Sequence, residues 1–103
     1  NISTSTVSDI TDLLAKILPS LDLLSDVPQD EIDNVKDDLE SVEEQLTSAA
    51  PKKKRLQKAV DGIKEFLSDF SMKVAVSVAA GAVTSADWFM LIQKLEEYIS
   101  SIG

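Results

Sequence analysis

The stretch LQKAVDGIKEFLSDF, residues 56–70, decides the fold because its large apolar residues recur at helical intervals of three or four. This spacing places them on one side of an α-helix and predicts an amphipathic helix packed on a core. Pro51 suits the start of this helix, and Gly62 would let a second helix approach closely. The apolar stripe comprises Leu56, Val60, Ile63, Leu67, Phe70, Val74 and Val78. We therefore expect a long central helix that ends before Gly81, a residue suited to a left-handed cap.

The last part of this stripe also fits a β-strand. Val74, Val76 and Val78 alternate with small residues at the period of an extended chain. A single strand in a helical chain has no partner for its backbone hydrogen-bonding groups, so the strand interpretation requires another chain. We therefore predict a helix over residues 74–80.

Two apolar stripes precede the central helix. The first spans residues 10–24 and contains Pro19, which lacks a backbone N–H and disfavours helical geometry at Leu18. We expect the first helix to break near Leu18. The second stripe spans residues 32–46, and Pro28 suits the start of its helix.

A last stripe follows the central helix. Residues 84–87 read Thr-Ser-Ala-Asp, which has the form of a capping box, and apolar residues recur with helical spacing from Trp88 to Ile102. Together the stripes predict an all-α fold, a small bundle of about four helices. We expect one helical domain over residues 1–103, with an acidic hairpin over 1–50 followed by the central helix and an aromatic C-terminal helix.

The two halves of the chain differ in charge. The 103 residues have a net charge of −8, and the first fifty carry twelve acidic residues against two lysines. The sign changes at residues 51–55, PKKKR, which also matches a basic nuclear-localisation motif of a kind common by chance. In an antiparallel hairpin of the second and third helices, Lys58 would lie level with Glu43 and Glu44 and offset their charge. The cations of this run are Lys52, Lys53, Lys54 and Arg55. Because positive charges at the start of a helix oppose its dipole, these residues favour an anion or an acidic partner.

The composition argues against most kinds of chemistry. The chain has no His and no Cys, and no nucleotide-binding motif is recognisable. The acidic run over residues 26–44 lacks the ligand spacing and central glycine of a calcium loop, so a solvated helix face explains it better. We expect no enzymatic activity, no catalytic residue, no metal or cofactor and no small-molecule substrate.

Charge and cysteine content also bear on partners and location. A net charge of −8 disfavours nucleic-acid binding, which needs a clustered excess of Lys and Arg. The absence of Cys fits a reducing compartment, and we expect a cytoplasmic location. The chain begins at Asn1 without Met, which is compatible with a fragment or a processed product.

A protein contact is the function that the remaining features favour. Residues 88–92 are five consecutive apolar residues, more than one helix face can bury in a small bundle. We expect Phe89 or Met90 to be partly exposed and to bind a protein partner or a second copy, although a core helix buried on two sides is the structural alternative. Small residues at Ala79 and Val83 would permit close packing in such a contact.

A membrane-active module is the second interpretation of the same region. In that case residues 74–92 would turn outward and the basic run over residues 52–55 would meet anionic lipid. The apolar run over residues 74–83 is too short to span a bilayer as a helix, since spanning takes about 20 residues.

The sequence PKKKRLQKAVDGIKEFLSDFSMKVAVSV, residues 51–78, resembles the helical tail of AbiTii-type proteins of bacteria. These proteins are associated with abortive infection, a defence against phage. The resemblance covers about a quarter of the chain and includes no catalytic motif, so it assigns no functional residue. It implies a bacterial, cytosolic module within a longer defence protein, with a role in association.

Overall fold

The computed structural model describes residues 3–78 and 81–102 and confirms an all-α bundle with four α-helices in this part of the chain. A short antiparallel hairpin accompanies the helices. The α-helices are α1 (Ser3–Ser20), α2 (Gln29–Thr47), α3 (Lys53–Phe70) and α4 (Ser85–Ile102), and the strands are β1 (Val76–Val78) and β2 (Gly81–Val83). Short 3-10 turns at Leu21–Leu23 and Ser71–Lys73 follow α1 and α3.

The predicted apolar stripes form one core. Each helix buries its stripe, and fully buried side chains include Leu14 of α1, Leu39 of α2, Ile63 of α3 and Leu95 of α4. The most extensive helix contacts are between α2 and α3 and between α1 and α4, whereas α1 and α2 touch much less. The acidic first half is therefore held mainly by the second half of the chain.

The first helix is interrupted two residues later than Leu18. Helix α1 continues through Pro19 and ends at Ser20, where the chain tightens into the 3-10 turn at Leu21–Leu23. Pro19 has no N–H to donate to the preceding turn. The missing hydrogen bond weakens the end of α1, although Ser20 is still helical. The buried Ser20 hydroxyl donates to the carbonyl oxygen of Ile17 over 2.6 Å, which satisfies a carbonyl near the helix end.

The prediction of helix over residues 74–80 is wrong for residues 74–78, and residues 79 and 80 lie outside the described part of the chain. Helix α3 ends at Phe70, and Val76 to Val78 form strand β1, which pairs with β2 in the register Val76 to Val83 and Val78 to Gly81. The strand needs no second chain for its pairing, because β2 is its hydrogen-bonded partner. Gly81 has a φ of +126° at the start of β2, so its conformational freedom serves a chain reversal in place of a helix cap.

One of the two hydrogen bonds of the predicted capping box forms at the start of α4. The Asp87 carboxylate accepts a hydrogen bond from the Thr84 backbone N–H over 2.9 Å. The same carboxylate pairs with Lys16 of α1 over 3.3 Å, and Lys94 of α4 lies 3.4 Å from the carboxylate of Asp9 in α1. These ion pairs join the two helices that the apolar core already packs together.

Helices α2 and α3 approach closely at Gly62, as predicted from its missing side chain. The Asp38 side chain of α2 occupies the space beside Gly62, and a methyl group there would lie 2.8 Å from Asp38 Cγ. Burial raises the pKa of the Asp38 carboxyl, the neighbouring Asp37 adds to the rise, and Lys58 of α3 opposes it. The small residue therefore accommodates a carboxyl group that is partly removed from water.

Candidate interaction surfaces

The first surface lies on α4. Phe89 and Met90 are 53% and 46% exposed, whereas the adjacent Trp88 and Leu91 are fully buried. The expected exposure of Phe89 and Met90 is thereby confirmed. The helical period explains the difference, since a run of five apolar residues extends beyond the core-facing side of a helix.

Phe89 borders an open groove of ≈ 460 Å³ between α3 and α4, which we call the apolar groove. Its walls combine apolar side chains with small hydroxyls and a single cation. The groove is lined by Lys64, Leu67, Ser68, Ser71, Phe89 and Ile92. Leu67 and Ile92 are themselves buried core residues, so the groove reaches down to the core.

Aromatic packing supports the helices on either side of this groove. The ring centroids of Phe66 and Trp88 are 5.4 Å apart, and those of Phe66 and Phe70 are 5.3 Å apart, both in tilted arrangements. Trp88 lies directly before Phe89 in the chain, and its indole N–H has no hydrogen-bond acceptor among the described residues. The backbone that carries Phe89 is therefore attached to a rigid, apolar part of the core.

An ion pair spans the same two helices. Lys64 Nζ of α3 lies 2.7 Å from Glu96 Oε2 of α4, and both side chains are about half exposed. The hydrogen bond to Glu96 raises the pKa of Lys64, and its charge acts in the same direction. Lys64 thus places a paired cation at the edge of the apolar groove.

The structure separates the other two predicted contact residues from this surface. Val83 is fully buried in the core, where it belongs to strand β2, so its side chain offers no surface to a partner. Ala79 lies outside the described residues. Of the four residues, Phe89 and Met90 are those that the described structure places together at the surface.

The second surface lies at the start of α3, and we call it the basic groove. Its four sequence-predicted cations are exposed, and none belongs to an ion pair among the described residues. These cations are Lys52, Lys53, Lys54 and Arg55. An open groove of ≈ 570 Å³ is lined by Lys52, Lys54, Arg55, Gln57, Lys58 and Asp61.

The predicted pairing of Lys58 with Glu43 and Glu44 is wrong. Lys58 borders a surface depression together with Asp38 and Ser41 of α2. Glu43 and Glu44 border a different depression that includes Thr11 of α1. The depression beside the two glutamates includes no residue of α3, so a position level with them along the helix axis does not bring Lys58 into contact.

A buried glutamine fixes the start of the basic groove, a role that the sequence analysis does not predict. Gln45 of α2 is 6% exposed, and its Oε1 accepts a hydrogen bond of 2.7 Å from the Lys52 backbone N–H. This bond ties the end of α2 to the residue before α3. Gln45 occupies a position on the α2 stripe where an apolar residue is usual, which is the one clue that periodicity could have offered.

Within residues 3–78 and 81–102, no three acidic side chains are arranged to hold a metal ion. In the same part of the chain, none of the helices has the length and apolarity needed to cross a membrane.

Comparison with protein-family models, with curated proteins and with solved structures finds no match to the chain.

Proposed function

We propose that the chain is a non-catalytic protein-interaction module that self-associates through Phe89, Met90 and the apolar groove. The observation that carries the proposal is the exposure of Phe89 on the border of a groove that reaches the core, with the exposed Met90 next to it in the chain. Exposed aromatic side chains next to well-packed apolar pockets are frequent anchors of protein interfaces.

A second copy is the partner that this arrangement favours. A groove with an exposed Phe89 on its border can form a twofold contact in which each Phe89 enters the groove of the other copy. The half of the chain that forms the groove, residues 51–103, carries eight basic and six acidic residues, in contrast to the acidic first half. Two copies that meet at this groove therefore keep their acidic halves apart.

Sedimentation equilibrium of the full chain tests the proposal. In about 500 mM NaCl, where contacts between charged surfaces are screened, we expect the parent chain to form dimers at micromolar concentration. Phe89→Glu should sediment as a monomer at this salt concentration, because the substitution places a charge in an apolar contact. Leu23→Glu is the matched control, since Leu23 is 52% exposed and lies outside the groove. A monomeric parent chain, or a dimer that Phe89→Glu leaves unchanged, contradicts the proposal.

The resemblance of residues 51–78 to AbiTii-type tails extends this proposal to a biological setting. In that setting the module would serve association within a longer bacterial phage-defence protein in the cytoplasm. The sequence that flanks this segment in its gene tests the idea, because an adjoining defence domain would support it. An unrelated neighbouring domain would argue against it.

The membrane-active alternative has less support than the protein contact. Of the region 74–92, Val74, Val83 and Trp88 are fully buried, so their side chains are not available to lipid in this fold. Flotation with vesicles that contain anionic lipid measures this alternative directly. Binding at low salt would favour it, and the absence of binding would leave the protein contact as the proposal.

A further inference from the structure

The basic groove has a counterpart of opposite charge on the same molecule. Five acidic residues lie along the outer side of α2, opposite its buried stripe, and all are exposed. We call this the acidic face, and its residues are Asp30, Asp33, Asp37, Glu40 and Glu44. At a helical rise of 1.5 Å per residue, the face is about 21 Å long.

The two surfaces are not neutralised within the described part of the molecule. The ion pairs there are Lys16 with Asp87, Lys64 with Glu96, and Lys94 with Asp9. None of them includes a residue of the basic groove or of the acidic face. Like charges one turn apart on a helix repel, so an opposing cationic surface would relieve repulsion along the acidic face.

We propose that the basic groove of one copy binds the acidic face of α2 in a second copy. Charge complementarity carries the proposal: four cations and a single acid line the groove, and five acids line the face. The alkyl stems of Lys and Arg give such a groove apolar walls against which a helix can pack. The contact joins two different surfaces, so repetition produces open chains of copies.

Net charge opposes the contact only at long range. Each copy carries a net charge of −8, and two copies repel at a distance. At an ionic strength of about 0.1 M this repulsion is screened beyond roughly 10 Å, whereas oppositely charged groups in contact still attract. The contact is therefore weakened by high salt, unlike an apolar interface.

Sedimentation of the Phe89→Glu chain isolates this contact from the apolar groove. At about 50 mM NaCl we expect the average mass to rise with concentration, and at about 500 mM we expect association about tenfold weaker or absent. Lys54→Glu should weaken association, whereas Lys73→Glu, which makes the same charge change outside the groove, should not. A mass that stays monomeric at the lower salt, or association that salt leaves unchanged, overturns the proposal.

A charge-swap mixture provides the decisive arm. Both variants are built in the Phe89→Glu chain, one with Lys54→Glu and Arg55→Glu and the other with Asp33→Lys and Glu40→Lys. Each alone should be monomeric, and their mixture should associate, because each retains the surface that the other has lost. Both variants keep a negative net charge, so restored association cannot come from net attraction. Two monomeric variants that fail to associate on mixing overturn the proposal.

Folding and other acidic partners are controlled separately. Acidic residues in the first turn of a helix favour its dipole, so the Lys54→Glu and Arg55→Glu variant should keep its helical circular dichroism. If the helical signal falls, Lys54→Gln with Arg55→Gln replaces it, with weaker association expected. Binding of a labelled oligoglutamate peptide is measured with the Phe89→Glu chain. If this chain binds the peptide but stays monomeric, the basic groove binds a different acidic partner, and the proposal of a second copy is overturned.

Discussion

Substitution of Gly62 by Ala tests the closest contact between α2 and α3. Two effects of the added methyl group oppose each other. In a helix interior, Ala is more favourable than Gly by about 1 kcal/mol. The methyl group would, however, collide with the side chain of Asp38, whose carboxyl atoms are the three nearest to it.

The size of the opposing effect follows from how Asp38 can move. The collision includes Asp38 Cγ at 2.8 Å, so the whole carboxyl group must rotate away. A side chain forced from its preferred rotamer costs about 0.5 to 1.5 kcal/mol. We therefore expect Gly62→Ala to change the free energy of unfolding of the parent chain by less than about 0.5 kcal/mol, because the two effects nearly cancel.

A double-mutant cycle separates the two effects. Asp38→Ala removes the three atoms nearest to the new methyl group, so Gly62→Ala in that background should stabilise the protein by about 1 kcal/mol. Urea denaturation followed by circular dichroism measures both values. If Gly62→Ala stabilises the parent chain by the same amount as the Asp38→Ala chain, the two residues do not interact and the reasoning is wrong.

Two further predictions concern charged groups. Burial raises the pKa of Asp38 above its unfolded value, so the folded state binds this proton more tightly and stability falls as pH rises from the unfolded to the folded pKa. Asp38→Asn should therefore stabilise the protein at neutral pH and lose this advantage below the unfolded pKa. Urea titrations at several pH values measure the difference. A stabilisation that does not change with pH would mean that the Asp38 carboxyl is fully hydrated. Asp87→Ala should cost about 1 to 2 kcal/mol, because it removes both the helix cap at Thr84 and the ion pair with Lys16. Thermal unfolding measures this cost, and a loss no larger than that of Lys16→Ala would show that the cap contributes nothing.

Much of the fold is predictable from the helical period. Ile63 on α3 and Leu95 on α4 are buried as their stripes require, and the hydrogen bond from the Thr84 N–H to the Asp87 carboxylate forms as the spacing of the capping box indicates. These features depend on interactions within one or two helical turns, which a single sequence displays directly. The exposure of Phe89 follows from the same argument, since a helix in a small bundle buries one side.

The errors share a different physical cause. The helix prediction for Val76 fails because Val76 has a strand partner, β2, a few residues further along the same chain. The predicted pairing of Lys58 with Glu43 depends on their level along the hairpin, whereas the rotation of α2 about its axis brings Asp38 towards Lys58. Gln45 gave no signal, because its hydrogen bond to Lys52 exists only once α2 and α3 meet.

Local periodicity and composition are therefore enough to predict four helices, the buried side of each helix and the contrast in charge between the two halves of the chain. These properties belong to short segments and do not depend on which segments are neighbours. Tertiary packing alone decided that α1 pairs with α4 and α2 with α3, and that the apolar groove opens beside Phe89. The rotation and crossing of the helices determine where a groove opens between two of them. They also determine how far the basic groove lies from the acidic face of α2. Residues distant in sequence determine that geometry.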